Sequence, residues 1–329
     1  MEERLKEILR IALAYGVTDI HFDIQEEKDP QPVIEMRVHG EIRQLKRGQN
    51  DLKLFRYLMY RANLDISDAL RPQTGSFHEE VDGRLLSLRF AVVSSYHIIS
   101  GVLRILNNHP DLKINDLCQN EKTVEWLKGI TAHRNGLFVF SGPTGSGKTT
   151  TLYTILNECT GKKIFTLEDP VEVVNDRYIQ IQINDRQHMS YADGIKQLMR
   201  HDPDIVMIGE IRDDEAAQMA VRCALTGHLV LTSLHSSSCV SALHRLMDLG
   251  IAEYQLADVM AGISCQRLYD SENTKGGRTG VYEIMDRKQL AYWFENHRTD
   301  SSFIPLRGQI QTEMDRGHIS ARQAASDLA

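Results

Sequence analysis

Gly142-Pro143-Thr144-Gly145-Ser146-Gly147-Lys148-Thr149-Thr150 follows an apolar run at 137–140 and opens a stretch of helical character at Thr149. Its spacing is that of a phosphate-binding loop. Glycines at 142, 145 and 147 let backbone N–H groups curl around phosphate oxygens, and the helix N-terminus adds its partial positive charge. In that arrangement Lys148 neutralises the β- and γ-phosphates and Thr149 ligates Mg²⁺, with Thr150 next in the first helical turn. Strand before and helix after supply the context that a chance glycine-rich turn lacks. The second half of the chain therefore reads as a nucleoside triphosphate-binding α/β domain.

A chain of 329 residues is long enough for about two domains, each with its own core. Hydrophobic content of 42% and charged content of 25% are those of a globular protein, which excludes disordered and fibrous classes. The net charge of -7 argues against a broad nucleic-acid-binding face, because phosphate neutralisation needs clustered Lys and Arg. The 5 cysteines form no Cys-x-x-Cys pair and read as reduced, partly buried small hydrophobes. The N-terminal Met1-Glu-Glu-Arg-Leu-Lys-Glu lacks the apolar stretch of a secretory signal, and the longest charge-free segment of the first half of the chain, Phe90 to Leu103, is too short to span a bilayer.

Working towards the N-terminus, Leu5, Ile8, Leu9, Ala12 and Leu13 recur at helical spacing over 2–15. Strand character follows at 20–24 and 33–38, with a hairpin turn expected at His39-Gly40. A helix is expected over 51–63 and strands over 83–93 and 102–106. These elements make residues 1–108 a small α+β domain. The polar, proline-containing Asn107-Asn-His-Pro-Asp-Leu-Lys marks a connection, so 109–120 is expected as linker and 121–329 as the ATPase domain with a helical tail. Beyond the linker, runs at 137–140, 164–167, 205–208 and 229–234 lack polar alternation and read as strands buried on both faces, the signature of a mainly parallel sheet.

Three further stretches carry candidate chemistry. Thr166-Leu-Glu168-Asp169-Pro170-Val-Glu172 puts three carboxylates just past a strand end, where open parallel sheets bind ligands. Ile208-Gly209-Glu210 ends another strand in a carboxylate suited to polarise an attacking water or hold a metal-bound one. Nearby, Arg212 and Asp213 read equally well as ion-pair formers. Finally, His228 and His235 bracket a buried strand; their odd spacing sets them on opposite faces and excludes one shared metal site. That strand is expected beside the one bearing Glu210, which would let one histidine sense the γ-phosphate or orient water.

Taken in this order, the phosphate loop, the Glu168 segment, the Glu210 segment and the two-histidine segment resemble the ATPases of the type II secretion and type IV pilus superfamily. The resemblance covers nearly the whole chain. Val17-Thr-Asp19-Ile20-His21 and Arg71-Pro-Gln-Thr-Gly75 resemble that family's N-terminal elements, with Thr74 in place of an aspartate. Gln266-Arg-Leu268 and Gly277-Arg278-Thr-Gly280-Val-Tyr-Glu283 resemble its closing signatures. The resemblance implies a RecA-like P-loop core behind a PAS-like domain, with ATP and Mg²⁺ as cofactors. It makes Glu168 and Glu210 the catalytic acidic pair, with Glu210 and Thr149 at the Mg²⁺ directly or through water. His228 and His235 then couple nucleotide state to strand position. It also brings Arg84, Arg89 and Arg104 of the first domain over the nucleotide, although the Gly-Glu expected before Arg104 is missing.

Two absences narrow the resemblance: no domain is seen ahead of the first motif, and no four-cysteine zinc module stands between Gln266-Arg-Leu268 and Gly276-Gly-Arg278, so no zinc is expected. Short, zinc-free members include the assembly ATPases of Gram-positive competence pseudopili. The implied protein is a homohexameric motor, cytoplasmic and peripheral to the inner face of the membrane. It works on an inner-membrane pilus platform protein and binds no nucleic acid directly. A retraction ATPase, a nucleotide-gated scaffold and a DNA-translocating ATPase are the alternatives.

Overall fold

The computed structural model describes residues 1–25, 29–38, 41–67, 71–95, 97–106, 112–169, 171–183, 190–271, 274 and 277–328. The expected hairpin turn at His39-Gly40, the connection at 107–111, Pro170 and Gly276 lie outside the described residues. The chain forms two compact units, Met1–Pro110 with Glu172–Val174, and Asp111–Val171 with Asn175–Ala329.

In the first unit, helix α1 (Glu2–Ala14) precedes strands β1 (Asp19–Gln25), β2 (Asp29–Val38) and β3 (Glu41–Gln44). Helix α2 (Asp51–Arg61) and strands β4 (Gln73–Val81), β5 (Arg84–Ser94) and β6 (Ile98–Ile105) complete it. The sheet is antiparallel in the order β3-β2-β1-β6-β5-β4. Leu5, Ile8, Leu9 and Ala12 are buried together with Leu54, Phe55, Leu58 and Met59 of α2, at the spacing expected of one face of each helix. Phe22, Phe55 and Phe90 meet edge to face at 5.4–6.4 Å between centroids, tying α2 to β1 and β5. Strand alternation puts Leu86, Leu88, Phe90 and Val92 in this core, which leaves the odd-numbered residues of β5 on the opposite face.

The second unit opens with two helices, α3 (Ile114–Leu117), which falls inside the stretch expected as linker, and α4 (Glu121–Ile130). Then follow β7 (Gly136–Ser141), α5 (Lys148–Glu158), β8 (Ile164–Glu168), β9 (Tyr178–Gln182), α6 (Tyr191–Leu198), β10 (Ile205–Ile208), α7 (Asp214–Leu225) and β11 (Leu229–Leu234). The chain continues through α8 (Cys239–Asp248), α9 (Glu253–Val259), β12 (Met260–Asp270), β13 (Arg278–Asp286), α10 (Arg287–Asn296), α11 (Leu306–Asp315) and α12 (Ala321–Leu328). Its sheet runs β13-β12-β7-β11-β10-β8-β9, parallel throughout except for β13, which pairs antiparallel with β12.

All residues of β8, β10 and β11 are buried, as their unbroken apolar runs required. Leu137 and Val139 belong to the core that also holds Ala217, Ala220 and Val221 of α7, whereas Phe138 and Phe140 meet Trp126 of α4. Helices thus cover both faces of an α/β sheet. Among the described residues no helix is long and apolar enough to cross a membrane.

Candidate nucleotide site

β7 delivers the chain to the phosphate loop and α5 takes it away, with Gly147 at the N-cap and φ +88°. Gly142 has φ +143°, and a Cβ there would fall 2.6 Å from the backbone oxygen of Gln266 on β12. No other residue fits that position, because the obstacle is main chain and cannot rotate away.

Lys148 is only 8% exposed. Its ammonium donates to the carbonyls of Gly142 and Pro143 at 2.9 and 3.1 Å and stands 3.4 Å from His235 Nδ1. A buried ammonium needs such acceptors, and phosphate oxygens would supply stronger, charge-assisted ones. Thr149 is half-buried in the first turn of α5, and Thr150 beside it is exposed. Pro143, Thr144 and Gly145 are exposed along the loop and Ser146 is buried.

Strand order explains what meets Lys148. β11 lies between β7 and β10, so the residue leaving its C-terminal end sits between the phosphate loop and Glu210. That residue is His235: Nδ1 is 3.1 Å from the Gly142 carbonyl and Nε2 is 2.9 Å from Glu210 Oε1. A neutral ring donating from Nε2 can accept from Lys148 at Nδ1, whereas a charged ring donates to Gly142 and Glu210 together. Either state links the triphosphate-binding lysine to the carboxylate.

The other oxygen of Glu210 accepts from Arg212 Nε at 2.8 Å, and Arg212 also donates to Asp169 at 3.0 Å. The Glu210 hydrogen bond holds the Arg212 guanidinium above its ordinary pKa. Asp213 makes no part of this chain; its carboxylate accepts from Ala216 N at 2.8 Å and caps α7.

Glu168 has different company. At the end of β8 it is 3% exposed, and its carboxylate accepts from Tyr153 Oη at 2.6 Å, Thr166 Oγ1 at 2.6 Å and Gln180 Nε2 at 3.3 Å. Tyr153, Thr166 and Gln180 escaped the sequence reading. Only the i, i+2 pairing of Thr166 with Glu168 on one strand face was visible there.

The structure does not bring His228 to the loop. It precedes β11 at the N-terminal end, where Nδ1 lies 3.1 Å from Thr226 Oγ1 and 3.2 Å from the Cys223 carbonyl. The six residues of the strand separate it from His235. Spacing had set the two histidines on opposite faces; the structure sets them at opposite ends as well.

In the first unit, Arg89 and Arg104 are direct partners across β5 and β6, and Asp19 is the partner of Arg104 across β1 and β6. Asp19 Oδ1 accepts from Arg104 Nε at 2.6 Å, and Glu172 lies 3.6 Å from Arg89. Arg84 is not part of this row. Five residues from Arg89 on the same strand, it occupies the other parity beside the β4–β5 turn.

No group of three or more His, Cys, Asp or Glu side chains is placed to hold a metal among the described residues. Mg²⁺ bound through phosphates needs less, since it keeps most of its waters and takes one or two protein oxygens. The Thr149 hydroxyl and the Glu210 carboxylate are of the right kind.

A family model described as "Type II/IV secretion system protein" matches residues 1–311. The competence protein ComGA of Bacillus subtilis is 33% identical over 313 residues, covering 88% of this chain and 86% of ComGA. A putative type II secretion system protein E of Escherichia coli is 38% identical over 266 residues, 79% of this chain and 53% of its own length. The chain thus spans about half of that relative. In fold, the Legionella pneumophila ATPase DotB superposes with a TM-score of 0.76 at 20% identity, over 100% of this chain and 96% of that one. The pilus retraction motor PilT, solved with bound ADP, gives 0.70 at 24% identity over 98% and 96%. The phosphate loop, the strand order that inserts His235 between Lys148 and Glu210, and a match across both units lead to one conclusion: the chain belongs to the type II/IV secretion system protein family.

Proposed function

We propose that this chain is a Mg²⁺-dependent ATPase that works as a homohexameric motor, driving assembly of a type IV-like competence pseudopilus for DNA uptake. The observation that carries the enzymatic part is the continuous path from Lys148 through His235 to Glu210. Lys148, the loop amides and the N-terminus of α5 bind the phosphates; Mg²⁺, when bound, neutralises developing charge on them. Glu210 accepts a proton from the attacking water, and His235 orients that carboxylate according to whether the lysine is engaged. Glu168 fixes the adjoining strand end. Arg89 and Arg104 supply transition-state charge, with Arg84 the least suited of the three because it occupies the other parity of β5.

The similarity to the competence protein ComGA over most of both chains supports competence as the setting. The partner is then an inner-membrane platform protein, met from the cytoplasmic side. ATPase assays with that platform protein present, using Lys148→Ala as control, test the reading. Glu210→Gln should bind ATP, lose turnover by 10²-fold or more, on the order expected for a general base, and abolish DNA uptake. Uptake preserved in a variant without turnover would overturn the motor and leave a nucleotide-gated scaffold.

A further inference from the structure

The two closing signatures, Gln266-Arg-Leu268 and Gly277 to Glu283, have no part in the chemistry above, yet β12 and β13 carry them against the underside of the phosphate loop. Gln266 is 1% exposed, and its Nε2 donates to the Ser146 carbonyl, inside the loop, at 2.6 Å. That partner is a pure acceptor, so the side chain's nitrogen end must face it. The same nitrogen lies 3.4 Å from Thr151 Oγ1 on α5, and Thr151 Oγ1 lies 2.9 Å from the hydroxyl of Tyr282, itself 3% exposed. The main-chain oxygen of Gln266 presses on the loop as well, since it is what excludes a Cβ at Gly142.

One more atom bears on the role. Gln266 Oε1 is buried with no hydrogen-bond partner among the described residues. Leaving an amide acceptor unpaired in the interior is unfavourable, so the side chain is held there for its donor end.

We infer that Gln266, braced through Thr151 by Tyr282, is a positioning residue for the phosphate loop: it holds the Ser146 carbonyl so that the loop amides face a bound triphosphate. The inference rests on the reading that this loop binds nucleotide, and it gives the closing signatures a task at that site. Removing the donor lets the Ser146 peptide turn, and the loop must then be reordered by the ligand at the cost of affinity.

The test uses MgADP binding to the full chain, by calorimetry, with circular dichroism confirming the fold of each variant. Gln266→Met should weaken binding by about tenfold, the effect of one lost buried hydrogen bond. Gln266→Glu keeps the shape, but its carboxylate cannot donate and should bind more weakly still at pH 8. On protonation the carboxyl regains a donor, and burial raises the pH at which that happens. Its affinity relative to the unchanged protein should therefore recover as pH falls towards 6, whereas that of Gln266→Met should not. If both variants bind MgADP as the unchanged protein does, or both are weakened with no pH-dependent recovery in Gln266→Glu, the positioning role is overturned. Should the unchanged protein bind MgADP no better than Lys148→Ala, the nucleotide reading itself falls and this inference with it.

Discussion

Glu168 and Glu210 leave adjacent parallel strands, yet their surroundings differ in kind. Glu168 is buried among neutral donors from three elements, whereas Glu210 is 20% exposed in its side chain and held by His235 and Arg212. Truncating a buried acceptor strands its donors, each at about 1–3 kcal/mol. Truncating a partly exposed carboxylate mostly loses surface ion pairs, worth about 0–1 kcal/mol. Gln180 keeps Tyr153 Oη as a partner, so two donors are stranded, and Glu168→Ala should lower unfolding stability by about 2–6 kcal/mol by this reckoning, and Glu210→Ala by less than about 1 kcal/mol. Urea titration measures both. Equal losses would mean that the Tyr153, Thr166 and Gln180 cradle contributes nothing, and would return Glu168 to the same footing as Glu210.

At the level of the element, the phosphate loop separates two kinds of glycine. Gly145 has φ +79° but open space where a Cβ would stand, so Gly145→Ala meets only the backbone penalty, about 1–2 kcal/mol. Gly142→Ala meets the same kind of penalty and also the main chain of β12 at 2.6 Å. Its nucleotide binding should fall below detection while Gly145→Ala retains it; similar affinities would show that the loop does not need β12 at that distance. Much of this element was legible in advance, because apolar runs without alternation gave β7, β8, β10 and β11 and the glycine spacing gave the turn.

What escaped was the rest of the pairing. β12 follows α9 with no glycine or proline between Val259 and Met260, so nothing local marks where helix becomes strand. β9 is a five-residue edge strand whose Ile and Gln alternate, a pattern too short to separate from a loop. The pairing of β11 with β10 was expected, but its pairing with β7 is set by packing between segments distant in sequence, and without it the contact of His235 with Gly142 could not be read. Arg84 is the converse case. Its odd offset from Arg89 was on the page from the start, and strand parity alone separates the two.

For the molecule as a whole, the buried ionisable groups are unevenly divided between the units. All five cysteines are buried and lie in the second unit. Burial pushes the thiols of Cys118 and Cys223 up to about 12 and that of Cys159 up to about 11, and it raises those of Cys239 and Cys265. Tyr178, Tyr191, Tyr269 and Tyr282 are shifted upward by burial too. These groups are neutral when protonated, so the folded state keeps protons that the unfolded chain releases from about pH 9 upward. Stability from this source is fully present below the unfolded values and is lost as pH rises through the interval to the folded ones. The first unit contains no cysteine to add to that slope. Raising the pH from 8 to 11 should thus unfold the second unit first, with MgADP binding lost while the helix and sheet signal of the first unit persists. Hydrogen exchange resolved by peptide distinguishes this from simultaneous unfolding. Cys118→Ala and Cys223→Ala together should shallow the alkaline limb. An alkaline limb that keeps its slope in that double variant would mean that the buried thiols are not its source.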